Sequence, residues 1–208
     1  VSAGGTYTLV VTNPSNGCTA TATVAVTTNN TLPTAAVAPP AQITCTTLSL
    51  SLNGNASSQG PEFQYNWSGP GITCCSNTLT PTINAAGPYV LTVTNTNNGC
   101  TRTVSVNVQT NNTPPAVNAT APFNIGCNHP TVTLSGAGSA TGAGITYQWS
   151  TTDGNIQGSA TGLNAVVNQA GTYTLVVTNT NTGCTAMDNV TITGDTQTPT
   201  ALVAPAGP

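Results

Sequence analysis

Apolar and polar residues alternate with a period of two between turns, and no segment carries a sustained apolar stripe at helical spacing. In Gly171–Asn179, Tyr173, Leu175 and Val177 fall on one side of an extended chain, with Thr172, Thr174 and Thr178 on the other. Valine and threonine suit such a chain because branching at Cβ packs well on a pleated surface. An Asn- and Gly-rich turn, Asn179–Gly183, follows, and Cys184–Thr193 alternates again through Val190 and Ile192, which predicts a β-hairpin. Upstream, Val132 and Leu134 mark a strand ending at Gly136, and Ile145–Ser150 marks another. Leu48–Gly54, Glu62–Trp67 and Leu79–Asn84 repeat the arrangement earlier in the chain. The expected fold class is all-β.

The hairpin occurs three times, as Gly5–Thr19 (GTYTLVVTNPSNGCT), Gly87–Thr101 (GPYVLTVTNTNNGCT) and Gly171–Thr185 (GTYTLVVTNTNTGCT). Its cysteines, Cys18, Cys100 and Cys184, lie 82 and 84 residues apart, and Cys45–Cys127, Tyr65–Tyr147 and Trp67–Trp149 are each separated by 82. Shared periods of this kind mark tandem units, and this one has the length of a small domain rather than of a solenoid turn. The expected organisation is the C-terminal part of one repeat at 1–31, whole repeats at 32–113 and 114–197, and the start of another at 198–208. A hairpin alone buries too little to be stable. The polypeptide is therefore expected to extend in both directions, or neighbours to complete the half-domain. About seven short strands per unit predict a two-sheet sandwich. Leu134 and Leu52 would face Leu175 and Leu91 across the core, against Trp149 and Trp67, each buried side chain contributing roughly 1.5–3 kcal/mol.

This order of markers resembles an immunoglobulin-like domain, with tryptophan on the third strand and tyrosine at the corner entering the sixth. Leucine stands where antibody-type domains carry the second cysteine of their inter-sheet disulfide. The run GTYTLVVTNxxNGCT, a Thr/Pro-rich joint and a cysteine before the second strand together are similar to the immunoglobulin-like and PKD-like repeats of large Bacteroidota surface adhesins and gliding-motility proteins. The resemblance spans the whole chain, although Trp67 is followed by SGPG and Trp149 by STTDG, not by the aspartate-bearing segment of PKD domains. It implies tandem immunoglobulin-like β-sandwich domains of about 82 residues in an exported, cell-surface or filament protein. It names no ligand.

The cysteines Cys18, Cys45, Cys74, Cys75, Cys100, Cys127 and Cys184 are disulfide candidates, since seven cysteines in a chain with little charge suggest an oxidising compartment. Pairing within a repeat, Cys45–Cys100 or Cys127–Cys184, is opposed by distance. The corner before the second strand and the last hairpin turn sit at opposite poles, separated by a strand of roughly 26 Å, whereas a disulfide needs Cα atoms within about 7 Å. The favoured pairing is an inter-repeat bridge, Cys45–Cys184, with partners for Cys18, Cys100 and Cys127 in units at least partly outside this stretch. Cys74 and Cys75 have no counterpart in the other whole repeat, and either pairing with each other or cross-linking chains fits them. The joints Asn29–Pro33, Asn111–Pro115 and Thr196–Pro199 are short and proline-bearing, which stiffens them.

Composition narrows the function. Charged residues are 2% of the chain (Glu62, Arg102, Asp153, Asp188 and Asp195), lysine is absent, and the net charge is −3. So few basic residues do not suit nucleic acid or anionic lipid, and no apolar run is long enough to cross a bilayer. Weak charge does little to keep copies apart, so homopolymeric or lateral self-association is expected beside contacts with neighbouring repeats. Asn29, Asn55, Asn66, Asn111, Asn118 and Asn189 begin N-x-S/T triplets and are glycosylation candidates, although such triplets arise freely in Asn/Thr-rich sequence. Four scattered carboxylates, one histidine (His129, in a turn beside Pro130) and no C-x-x-C pair predict no catalytic site, no metal site and no cofactor. Asp153-Gly154-Asn155 reads as a turn and a weak calcium candidate. The expected function is a stiff spacer of a secreted filament, stalk or surface adhesin. The alternatives are a module that itself binds glycan or protein, for which chiefly Phe63 and Phe123 remain as free aromatics, and an accessory domain of a secreted hydrolase. Ice binding by Thr-rich strands would need a flat array that a twisted sandwich does not offer.

Overall fold

A computed structural model describes residues 3–195, 197 and 200–202. Most of the expected start of a further repeat at 198–208, and most of the Thr196–Pro199 joint, lie outside the described residues. Every regular element described is a strand. The first are β1 (Gly5–Thr12), β2 (Thr19–Val26), β3 (Ile43–Thr44), β4 (Leu50–Ser51), β5 (Phe63–Ser68) and β6 (Ile72–Cys74). Then follow β7 (Thr82–Ile83), β8 (Gly87–Asn95), β9 (Thr101–Val108), β10 (Thr110–Asn111), β11 (Ile125–Gly126) and β12 (Val132–Ser135). The last are β13 (Ile145–Thr151), β14 (Ile156–Gln157), β15 (Asn164–Val167), β16 (Gly171–Asn179), β17 (Cys184–Ile192) and β18 (Gly194–Asp195).

The chain divides into two compact units. One comprises Val1–Ala41 with Ser49–Val108, and the other Gln42–Leu48 with Gln109–Pro208. Each holds a pair of antiparallel three-stranded sheets, in the orders β4-β7-β6 and β5-β8-β9 in the first and β12-β15-β14 and β13-β16-β17 in the second. This is the strand arrangement of an immunoglobulin-like sandwich. In the second unit the core draws on both sheets, with Val132, Leu134, Ala165 and Val167 from one and Trp149, Tyr173, Leu175, Val177 and Ile192 from the other. Leu52, Ile83, Trp67, Tyr89, Leu91 and Val93 are the buried counterparts in the first. The alternation along β16, with Tyr173, Leu175 and Val177 wholly buried and each flanked by more open residues, is the sequence pattern made physical.

Two side chains fix this frame at places where backbone pairing runs out. The tyrosine hydroxyl in each of the three hairpins donates to the carbonyl four residues before it: Tyr7 to Ala3 (2.7 Å), Tyr89 to Ala85 (2.6 Å) and Tyr173 to Gln169 (2.6 Å). In both whole repeats a buried serine pins the first segment of the domain. Ser57 Oγ accepts from Ala36 N and donates to Ala36 O, both at 3.0 Å, and Ser139 Oγ treats Asn118 likewise at 2.9 and 3.3 Å. The repeats differ at their tryptophans. Trp67 Nε1 donates to Thr78 O at 2.9 Å, whereas Trp149 Nε1 is buried with no acceptor.

The hairpin β1–β2 keeps the same antiparallel register as β8–β9, yet its apolar residues are open. Leu9 is 64% exposed and Val11 57%, against 0% for the matching Leu91 and Val93. Among the described residues no second sheet covers them.

Candidate functional site

Cysteine chemistry supplies the sites this structure offers. Cys184 opens β17, directly after a hairpin turn whose shape follows from two residue types. Asn179 Oδ1 accepts from Asn181 N (3.0 Å), Gly183 N donates to Asn179 O (2.7 Å), and Gly183 takes φ +70°, a conformation glycine adopts without steric cost. Asn13–Gly17 and Asn95–Gly99 build the same turn, with φ +72° at each glycine. Cys45 sits on a corner after β3. That two-residue strand runs parallel to β10, pairing Ile43 with Thr110 and Thr44 with Asn111, and Thr44 N donates to Thr47 O (3.1 Å) to close the corner.

Corner and turn meet inside the second compact unit. Cys45 and Cys184 form a disulfide with Cα atoms 5.0 Å apart, across a sequence separation of 139 residues. This is the pairing favoured from the sequence, and it excludes both within-repeat pairings for these two cysteines. Thr46 Oγ1 donates to Thr182 O (3.4 Å), and a Cβ on Gly183 would collide with the Thr46 side chain, so glycine is needed there for close approach as well as for its φ. Cys184 is 1% exposed, Thr182 3% and Ile43 7%, whereas Cys45 is half-buried and Thr46 exposed, so the bond is packed on the turn side and open on the corner side.

The other candidates fall as follows. Cys74 and Cys75 bond to each other, which decides between the two possibilities left open by the sequence. Cys75 is the one non-glycine residue with positive φ (64°) among those described. The second whole repeat places Gly158, at φ +78°, directly after the corresponding short strand. Cys18 and Cys127 are exposed and unpaired, and Cys100 is half-buried and unpaired. All six triplet asparagines are exposed, and three of them hold structural bonds: Asn29 with Asn98, Asn118 with Ala137 O and Asn189 with Thr174.

Asp153 Oδ1 accepts from Thr172 N (2.9 Å) and from Thr151 Oγ1 (3.1 Å), so its carboxylate is committed to its own turn. His129 is exposed and packs against Phe123, with ring centroids 4.3 Å apart. Among the described residues, no three His, Cys, Asp or Glu side chains gather as a metal site would require, and no helix is long and apolar enough to cross a membrane. Sequence reasoning missed the short parallel pairs β3–β10 and β11–β18, which shape the two cysteine corners.

No family model and no curated protein sequence matches the chain. Among solved structures, it is similar to the N-terminal eight Ig domains of Down Syndrome Cell Adhesion Molecule, at 15% identity and a TM-score of 0.44, covering 93% of this chain and 27% of that one. It is similar also to three N-terminal domains of the bacteriophage RB49 Highly Immunogenic Outer Capsid protein, at 19% identity and TM-score 0.43, covering 78% and 59%. A third is Drosophila OTK extracellular domains 3–5, at 13% identity and TM-score 0.36, covering 92% and 71%. The chain thus spans about a quarter of the first of these and under two thirds of the second. The immunoglobulin-like architecture itself rests on the strand order and register described above.

Proposed function

We propose that the chain is a stiff structural module of a secreted filament, stalk or surface adhesin, acting as a serial spacer and associating with further copies of itself. The observation that carries this reading is the Cys45–Cys184 bond, which ties the corner at Gln42–Leu48 into the second compact unit across a sequence separation of 139 residues, longer than one repeat. Supporting it are the near-identical hairpins, the proline-bearing joints and the 2% content of charged residues, which leaves little repulsion between copies. Two disulfides fit an oxidising, extracytoplasmic setting. A carbohydrate-binding role would call for a platform of open aromatics, and Phe123 is the one aromatic side chain among the large exposed apolar residues.

The test is small-angle scattering and electron microscopy of the oxidised chain and of a longer chain carrying added repeats. A maximum dimension that grows by one domain length per repeat supports the spacer. A compact particle whose radius of gyration scales as that of a single globule overturns it.

A further inference from the structure

Both whole repeats place a left-handed residue at the same point, and they do so with different chemistry. Cys74, the last residue of β6, pairs with Thr82 on β7, as Gln157, the last residue of β14, pairs with Val166 on β15. The next residue is left-handed in each case, Cys75 at φ +64° and Gly158 at φ +78°. Glycine takes that conformation without steric cost, whereas a residue bearing a Cβ is opposed by its own carbonyl geometry. Where the second whole repeat has glycine, the first has a covalent bond between Cys75 and the residue before it.

The turn that follows serves the core. Cys75 O accepts from Thr78 N (3.0 Å) and from Thr78 Oγ1 (2.9 Å), which closes a tight turn over Cys75–Thr78. Ser76 O, within that turn, accepts from Trp67 N (2.7 Å), and Thr78 O accepts from Trp67 Nε1 (2.9 Å). Trp67 is 3% exposed, so both of its N–H groups rely on this one turn for an acceptor. In the second whole repeat Trp149 N donates to Ala160 O (2.7 Å), just beyond Gly158, with no disulfide beside it. Cys74 and Cys75 are both exposed, whereas Cys184 of the long-range bond is 1% exposed.

We propose that the Cys74–Cys75 bond is a redox latch: it holds Cys75 in left-handed backbone, keeps the Cys75–Thr78 turn closed on Trp67, and releases that turn when reduced. The reductant is a low-molecular-weight dithiol. One of its thiolates attacks an exposed sulfur of the pair, forming a mixed disulfide and releasing the neighbouring cysteine thiolate. Its second thiolate then closes on the dithiol's own sulfur and expels the other cysteine, and the two cysteine thiolates take up the two protons that the dithiol gave up. One protein disulfide and one dithiol thereby become two protein thiols and one cyclic disulfide. Access favours this bond over Cys45–Cys184. The latch and the tryptophan lie in one repeat, so the inference stands apart from the spacer reading.

The oxidised chain 1–208, its free thiols first blocked with iodoacetamide, is titrated with dithiothreitol. Newly formed thiols are mapped by maleimide labelling and mass spectrometry, and exchange of the Trp67 and Trp149 backbone amides is followed by NMR. The expected result is labelling at Cys74 and Cys75 while Cys45–Cys184 is still intact. Under those conditions exchange at Trp67 should accelerate about tenfold, the scale set by the left-handed penalty, with Trp149 unchanged. The C74S/C75S variant should exchange at Trp67 as the reduced chain does. The C74S/C75G variant, which copies the glycine of the other repeat, should keep the protection of the oxidised chain and ignore the reductant. The proposal is overturned by Trp67 protection that reduction leaves unchanged, by equal acceleration at Trp149, by fast exchange in C74S/C75G, or by Cys45–Cys184 opening first.

Discussion

Changing Tyr173 to Phe deletes one oxygen from the core of the second whole repeat and nothing else. That oxygen donates to Gln169 O at 2.6 Å and accepts from Asn155 N at 3.0 Å. A Cβ on Gly154 would collide with the tyrosine hydroxyl, so the surrounding backbone is moulded to it. Losing the donated bond costs on the order of 1 kcal/mol, and leaving the Asn155 amide without an acceptor about 1–3 kcal/mol more, so the variant should lose about 2–4 kcal/mol. For a domain of this size that corresponds to a fall in melting temperature on the order of 10 °C. Tyr7 makes the equivalent bond to Ala3 O on an open hairpin, where water replaces the hydroxyl, so Tyr7→Phe should stay within about 0.5 kcal/mol. Urea titration followed by tryptophan fluorescence measures the Tyr173→Phe loss, because Trp149 shares the Tyr173 core, and the same titration followed by far-UV circular dichroism measures Tyr7→Phe. Amide hydrogen exchange at Asn155 reports the local bond directly. A Tyr173→Phe loss below about 0.5 kcal/mol, an equal loss for Tyr7→Phe, or unchanged protection at Asn155 would refute the assignment of the corner hydroxyl as a structural clamp.

Gly99→Ala and Gly183→Ala both force alanine into left-handed backbone at a cost of about 1–2 kcal/mol, but only at 183 does the new methyl meet Thr46. Gly183→Ala should therefore be the more destabilising and should slow Cys45–Cys184 closure in a thiol-trapping assay; equal effects at the two sites would show that the approach is not tight. Cys45→Ser removes a cross-link closing a 139-residue separation, worth up to about 5 kcal/mol in the chain-entropy limit, so the urea midpoint should fall markedly. A change under about 1 kcal/mol would mean that packing, not the bond, holds the corner. Burial raises the Tyr89 hydroxyl above its ordinary pKa of 10.0, so the folded state favours the protonated form. Stability should be intact below about pH 10 and decline as pH rises further, because the unfolded chain ionises first. In Tyr89→Phe, equilibrium unfolding across pH 9–11.5 should show a shallower decline, and an unchanged slope would exclude Tyr89 as a contributor.

The long strands were legible because β8, β9, β16 and β17 run for eight or nine residues, enough for two-fold alternation to register. The core positions Leu134, Trp149, Tyr173 and Leu175 were readable for the same reason. Strands of two residues, such as β3 and β11, contain no period at all, so the parallel pairs that form the cysteine corners left no trace in the pattern. The Cys45–Cys184 pairing was accessible because strand length alone separates the poles of a sandwich by more than a disulfide can reach. The fate of Cys74 and Cys75 was not, since it turns on a left-handed backbone at Cys75 that the sequence offers no glycine to announce. Nor could sequence distinguish Trp67 from Trp149, whose shared place in the repeat conceals one satisfied and one orphaned indole N–H.

The long-range disulfide also determines how the molecule would answer a pull on its two ends. Tension entering at either end passes directly through the Cys45–Cys184 sulfurs, so the polypeptide between them carries no load while the bond is intact. At full extension that sheltered stretch amounts to roughly 450–500 Å of contour. A reductant acting on a single stretched molecule would release it as hidden length, making this one bond the difference between a tether that yields early and one that does not.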